Sequence, residues 1–244
     1  MCERCGDHRH RTLSRRNVTA GAAALLAAGA LSSAGAHAEP KASAEPAPNA
    51  IPPADALDRL MEGNARYAAN TPNERDFSAG RAARAEGQAP IAAIVSCSDS
   101  RVMPDLVFDQ PPGSLFVVRL AGNVVDDDAY ASVEYAVKFL GVPLILVLGH
   151  SNCGVVAAAI KVVMERAKLP GHLPGLIKAI EPAVIAAHGR HPSDLLSVAI
   201  EENVRLSLKR LIEDAPIISD ALAAKTIALS GGVYDMATGK VKLI

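Results

Sequence analysis

The stretch "VPLILVLGHSNCGVVAAAIKVVMERAK" constrains the fold of this 244-residue chain more than any other. From Val142 to Gly149 it offers no charged or hydrogen-bonding side chain, and the run is short for a buried helix. A segment of that kind reads as a strand buried on both faces. Helical spacing of apolar residues then begins at Gly154, with almost no loop between. A strand whose carboxyl end feeds straight into a helix is the building unit of a parallel sheet covered by helices.

The same alternation runs through the chain. "APIAAIVSC" predicts a strand over 89–97, and "GSLFVVRLAG" predicts another over about 113–122. "DDDAYASVEYAVKFLG" sets three acids ahead of an apolar-periodic helix that Gly141 stops. Helical segments are expected near 174–188 and 193–214, after the break "LPGHLPG". "KTIALSGGVYD" and "GKVKLI" read as two closing strands joined by a turn containing Thr238 and Gly239. Ahead of the first strand, Leu57, Leu60, Met61 and Tyr67 share one helical face, an apolar surface free to pack on a partner. "TPNERDFSAGRAARAEGQ" and "SDSRVMPD" read as polar loops. The expected class is α/β: a mostly parallel central β-sheet flanked by α-helices, with an N-terminal helical arm.

Composition removes several functions. Net charge is −1 with Lys and Arg spread along the chain, so no basic face for nucleic acid is expected. There is no Trp, and aromatic residues make up 3%, which argues against a stacking platform for bases or sugars. Beyond the N-terminus no apolar run approaches the roughly 18 residues of a membrane span, so the mature form is expected to be soluble.

The N-terminus has its own signature. Arg15 and Arg16 precede a weakly apolar, Ala-rich segment that ends in Ala36-His37-Ala38, a small-residue cleavage pattern. This predicts a twin-arginine export signal over 1–38 and a periplasmic or secreted product, against the alternative of a flexible Ala-rich tail or a transit peptide. Residues 39–52 read as a Pro/Ala-rich linker, and 53–244 as the catalytic domain. Cys2 and Cys5, near His8 and His10, superficially resemble a zinc knuckle, but they fall in the part expected to be removed. The mature chain keeps Cys97 and Cys153 alone. In an oxidising compartment two thiols usually mean a disulfide, and a metal held between them is the competing explanation.

Architecture weighs on that choice. Ligands of open α/β sheets bind beyond the carboxyl ends of the strands. "CSDSR" ends the first strand and "GHSNC" ends the third. If those strands are neighbours, Cys97, Asp99, Arg101, His150 and Cys153 converge. A buried histidine that merely satisfies its hydrogen bonds has no reason to arrive beside two thiols and a carboxylate. Two Cys and one His make a complete three-ligand set for catalytic zinc, with the fourth position left to water or substrate.

In combination, "CSDSR", "FVVRLAGN" and "GHSNCG" resemble the β-class carbonic anhydrases, with further likeness in "GNARYA", "IEENV" and "YDMATGKV". The likeness covers roughly 53–244. One departure is Leu120, where many members carry Asn, and it is expected to be tolerated. The resemblance implies one Zn2+ per subunit, held by Cys97, His150 and Cys153, with an Asp99–Arg101 pair beside it. It implies hydration of CO2 to bicarbonate and a proton by attack of zinc-bound hydroxide. It also implies a homodimer or higher homo-oligomer, with a substrate pocket at the subunit interface to which Gln88, Phe116 and Tyr135 align; core packing is the alternative for Phe116 and Tyr135, which sit in apolar segments. The non-catalytic bicarbonate pocket of some bacterial members uses a Trp, so that feature is expected to be absent here in its usual form.

The chemistry of the residues agrees. Zinc lowers the pKa of its water from about 15.7 toward about 7, and uncharged CO2 needs an apolar cavity, which Phe116 and nearby Val residues supply. Two thiolates cancel the charge of Zn2+, so activity is expected to rise on the alkaline side of neutrality. Asp99 would accept a hydrogen bond from the bound hydroxide, with Arg101 keeping it ionised. The bland alternative for this pair is a turn-forming carboxylate with a surface ion pair. In part of the family Asp99 swings in as a fourth ligand, and the sequence leaves that open. Gly154 opens a helix directly after the last ligand, so its amide would face the metal-bound oxygen. No shuttle role is assigned to His172, His188 or His191. Rivals are hydrolysis of carbonyl sulfide or carbon disulfide on the same site, a Cys97–Cys153 redox protein, a Cys/His hydrolase and a non-catalytic zinc module. Structural zinc sites fill all four positions, and no fourth Cys or His occurs in the two motifs.

Overall fold

The structure is a computed structural model that describes Ala47 and residues 49–244. The export signal expected over 1–38, the Cys2/Cys5 pair and most of the linker lie outside the described residues. Five strands form one sheet: β1 (Ala92–Ser96), β2 (Leu115–Arg119), β3 (Leu144–His150), β4 (Ala228–Tyr234) and β5 (Val241–Leu243). Their order across the sheet is β2-β1-β3-β4-β5. The first four are parallel, and only β5 returns antiparallel, on the hairpin through Thr238 and Gly239. β1 and β3 are neighbours, with Ser96 opposite Leu148. The order reverses there: the chain leaves β1 toward β2 on one side and comes back to β3 on the other. That reversal is the topological switch point at which such sheets bind ligands.

Eight α-helices accompany the sheet among the described residues: α1 (Pro53–Ala68), α2 (Arg81–Glu86), α3 (Pro104–Val107), α4 (Asp127–Leu140), α5 (Gly154–Glu165), α6 (Leu173–His188), α7 (Leu195–Glu213) and α8 (Pro216–Ala223). α2, α3 and α8 were not expected from sequence. α2 buries no side chain, which is why it leaves no apolar period to read. α3 is a single turn started by Pro104. α8 is capped from outside, its Ile217 N–H donating to Glu134 Oε1 of α4 at 3.1 Å.

Local chemistry accounts for the longer helices. The Asp126 side chain accepts the Ala129 N–H at the start of α4, a cap worth about 1 kcal/mol. Gly141 ends it in the left-handed region at φ 66°. α7 is capped in the same way by Asp194, which accepts the Ser197 N–H. α7 lies close against the sheet because Gly149 has no side chain: a Cβ there would come within 2.6 Å of Val204 Cγ2. β1 and β3 are buried along their whole length, as expected for strands covered on both faces.

Two expectations change. The apolar face of α1 is not free for a partner, since Leu60 is fully buried against this chain's own sheet and Leu57, Met61 and Tyr67 pack on the same cluster. The stretch read as linker also ends on the domain, where Asn49 Nδ2 donates to the Leu140 carbonyl at 2.6 Å and to the Pro90 carbonyl at 3.2 Å. Among the described residues no helix is long and apolar enough to cross a membrane.

Candidate metal centre

The carboxyl ends of β1 and β3 deliver the site. Cys97 follows the last residue of β1, His150 is the last residue of β3, and Cys153 is the N-cap of α5. All three are buried, and their ligand atoms lie within 4.8 Å of one another. Both cysteines are free thiols. A core histidine that merely satisfies its hydrogen bonds does not account for this convergence.

The donors fit a metal. His150 Nδ1 lies 3.0 Å from the Ser151 carbonyl, which can only accept, so Nδ1 carries the proton. The opposite nitrogen, Nε2, is buried with no hydrogen-bond partner. A fully buried imidazole that leaves an aimed lone pair unused beside two thiols is the observation a divalent cation explains. The thiols are unequal without one. A hydrogen bond from Cys153, helped by His150 and the Gly122 amide, brings the Cys97 thiol down to about 4, while burial opposes it. Cys153 is pushed up, first by holding the shared proton against Cys97 and then by burial, although the Val155 and Val156 amides at the start of α5 face its sulfur and favour the thiolate. Burial disfavours a charge on His150, and the neighbouring Cys97 sulfur together with the Ser151 carbonyl outweighs that and raises its proton affinity. A metal entering this set displaces those protons.

Asp99 and Arg101 form the pair expected of them. Arg101 grips the carboxylate with Nε on Oδ1 at 2.9 Å and Nη2 on Oδ2 at 2.7 Å, and its backbone N–H also donates to Oδ1. This bidentate grip holds the Asp99 carboxyl well below the usual carboxylate range against the opposing effect of partial burial. Asp99 is not among the three converging ligands.

Arg119 was not singled out from sequence. From the end of β2 its Nε donates to the Cys97 carbonyl at 3.1 Å and its Nη2 to the Asp99 carbonyl at 2.7 Å, which fixes the loop between ligand and carboxylate. A charged residue at the carboxyl end of a strand beside the site was the available signal. Leu120 contributes through its backbone: its carbonyl accepts the Ser98 and Asn123 N–H groups, while its side chain packs into the core. That explains why Leu is tolerated there.

The remaining candidates fall elsewhere. Gly154 opens α5 beside Cys153 with open space around it. Phe116 and Tyr135 lie together, ring centroids 6.3 Å apart, and Phe139 extends the row. Phe116 pairs with Ala93, four residues before Cys97, so the aromatic row sits about 13 Å back along the strands. Gln88 is exposed on the rim of a separate hollow of about 760 Å³ between α2 and the 111–114 loop. Within one subunit these three do not reach the metal ligands.

A buried set of soft donors at the switch point of a parallel sheet, with no fourth ligand among the described residues, fits a metalloenzyme centre that keeps one coordination position for solvent or substrate. The family model described as "Carbonic anhydrase" matches residues 92–241. Carbonic anhydrase 2 of Mycobacterium tuberculosis is 36% identical over 192 residues, covering 78% of this chain and 92% of that protein. The solved β-carbonic anhydrase CcaA is 29% identical with a TM-score of 0.61, over 78% of this chain and 92% of its own. One of two tetrameric β-carbonic anhydrases from Sordaria macrospora is 25% identical with a TM-score of 0.62, over 78% and 97%. The chain belongs to the carbonic anhydrase family, in its β class.

Proposed function

We infer that this chain catalyses the reversible hydration of CO2 to bicarbonate and a proton, with one Zn2+ per subunit held by Cys97 Sγ, His150 Nε2 and Cys153 Sγ. The observation that carries it is the unpartnered, buried Nε2 of His150 set between two free thiols beside a preformed Asp99–Arg101 pair. When bound, zinc supplies the Lewis acidity that lets water ionise near neutral pH instead of at about 15.7.

The protein supplies orientation. Asp99 Oδ2 keeps a lone pair beyond its single bond to Arg101, so the carboxylate accepts a hydrogen bond from the reacting water and aims its attack on CO2. Arg101 keeps Asp99 ionised, and Arg119 keeps the loop in place. The Gly154 N–H lies in the first turn of α5, has no intrahelical partner and serves the developing anion.

Gln88, Phe116 and Tyr135 serve the site of a second copy of this chain. The support is their distance from the ligands of their own subunit, the exposure of Tyr135 and Phe139, and the position of β2 at the sheet edge. The Sordaria macrospora relatives are tetrameric. Residues 1–38 direct export through the twin-arginine route after folding, which would let the metal load inside the cell. Cell fractionation of wild type against Arg15→Lys/Arg16→Lys tests that reading, and an unchanged distribution would remove it.

The enzyme reading is tested by zinc content and CO2 hydration of the full chain. Cys97→Ser and His150→Ala should lose metal and activity together. Asp99→Ala should keep metal and lose rate. Full activity in a zinc-free preparation would refute the assignment, and so would a 97–153 disulfide in the native protein.

A further inference from the structure

Each of the three ligands has a partner outside the coordination set, and two of those partners are local. His150 uses the carbonyl of the next residue, and Cys153 opens α5, where the amides two and three residues on favour its thiolate. Cys97 is different. Its sulfur accepts the Gly122 N–H at 3.2 Å, from a turn twenty-five residues away. That turn, Ala121–Asn123, is not self-supporting. Gly122 sits at φ 71° and ψ 22°, and Asn123 follows at φ 45°, two successive left-handed residues of which only the first is glycine.

Two side chains of α7 hold it. Asn203 Nδ2 donates to the Gly122 carbonyl at 2.7 Å, and Ser207 Oγ donates to the Asn123 carbonyl at 3.0 Å. Asn203 and Ser207 are one helical turn apart on the same face, and each is 1% exposed. Among the described residues neither carbonyl has another donor, so each bond serves a buried polar group on its own. From the other side the turn is confined by Ile180 and Val155, which leave no room for a side chain at Gly122.

We propose that Asn203, assisted by Ser207, is a positioning residue of the metal centre: it fixes the amide that hydrogen-bonds the Cys97 sulfur and so sets how strongly that sulfur donates to the metal. This rests on the zinc reading above. An N–H···S bond draws electron density from a thiolate and weakens its donation to the ion. α7 supplies no ligand, yet through this turn it reaches one of the three.

The experiment uses the full chain loaded with Co2+, whose sulfur-to-metal charge-transfer absorption reports donor strength, together with zinc affinity measured by chelator competition. Asn203→Leu keeps the size and removes the donor. Its charge-transfer band should move to longer wavelength because the sulfur, freed of the N–H, donates more strongly. Its zinc dissociation constant should rise about tenfold because the ligand is no longer held in place, as is usual for loss of an outer partner. Ser207→Ala removes one oxygen and should shift both readouts in the same direction by less. It keeps the question answerable should Asn203→Leu not fold. Bands unmoved in the folded variants would overturn the proposal, even with some affinity lost, since a merely structural residue would act that way. A wild-type chain that takes up no zinc would overturn the metal-centre reading as well, so the two failures are distinguishable.

Discussion

Gly122→Ala puts the backbone argument to a quantitative test. At φ 71° an alanine is in the left-handed region, which costs a side chain about 1–2 kcal/mol. A smaller gain offsets part of this, about 0.4–1 kcal/mol, because alanine restricts the unfolded chain. The new methyl would also stand 2.8 Å from Ile180 Cδ1 and 3.4 Å from Val155 Cγ1. Ile180 is fully buried, so its side-chain end can yield only by disturbing the α6 packing around it, an overpacking cost of about 1–3 kcal/mol. The expected loss is about 2–4 kcal/mol, which for a chain of this size lowers the melting temperature by about 10 °C. Gly154→Ala is the control. It lies beside a metal ligand too, but nothing comes within 4 Å of the added methyl, and a change within about 0.5 kcal/mol is expected. Calorimetry of the zinc-free proteins isolates these terms from metal binding. Repeating it with zinc adds the cost of shifting the amide that faces Cys97. If Gly122→Ala melts with the wild type, the left-handed turn is not held as described, and its role beside Cys97 fails with it.

Three further outcomes follow from the structure. Asp109 is buried against Arg66 and Arg75, which with the Asn73 N–H hold its carboxyl below the usual range although burial pushes the other way. Its contribution is therefore complete above about pH 4 and lost as pH falls through the lowered native value. Asp109→Asn should cost about 3 kcal/mol at pH 7 in urea titrations and flatten the acid limb, and an acid limb like that of the wild type would count against the assignment. Removing zinc with a strong chelator should lower the melting temperature, by the equivalent of about 4 kcal/mol when free metal stood at a thousand times its dissociation constant; an unchanged melt would speak against a metal at Cys97, His150 and Cys153. Phe139→Asp, at a residue 73% exposed beside Tyr135, should shift the chain toward monomer in analytical ultracentrifugation and reduce CO2 hydration without loss of zinc, and an unchanged association state would remove that surface from the interface.

What was legible in the sequence is what local chemistry writes there. The uncharged run over 144–148 announces a strand buried on both faces, and the acids before Ala129 and the glycine at 141 mark the ends of α4. Cys97, Asp99, Arg101, His150 and Cys153 were readable because strand ends are where a parallel sheet brings its ligands together. The hydrogen bonds around them were not. Gly122 lies inside a run that reads as strand, and only its contact with Cys97 and the confinement by Ile180 reveal a left-handed turn. Asn203 and Ser207 sit on an ordinary helical period, where nothing local separates a buried donor from a solvated one. α2 and α8 escaped for a related reason: α2 buries no side chain and α8 buries only Ile218, so neither needs the apolar stripe that sequence reading looks for.

That division has a physical source. The ligands are supplied by backbone that is already rigid: β1 and β3 are paired on both sides, and α5 starts directly after Cys153. Convergence of the three donors thus costs little beyond forming the sheet. Tuning those donors needs groups that the strands cannot supply, because their backbone amides are spent on the ladder. It falls to segments packed against the strand ends: the first turn of α5 for Cys153, the Ser151 carbonyl for His150, and the turn pinned by α7 for Cys97. Of these, only the last depends on tertiary packing between distant parts of the chain, through Val204 closing on Gly149 while Asn203 and Ser207 bracket it on the same helix. Removing the α7 donor itself, as in Asn203→Leu, should therefore alter the Cys97 sulfur while leaving the partners of Cys153 and His150 in place. In the Co2+ protein this would appear as a shift of one sulfur's charge-transfer band and not both, and equal shifts in the two would refute the route through α7.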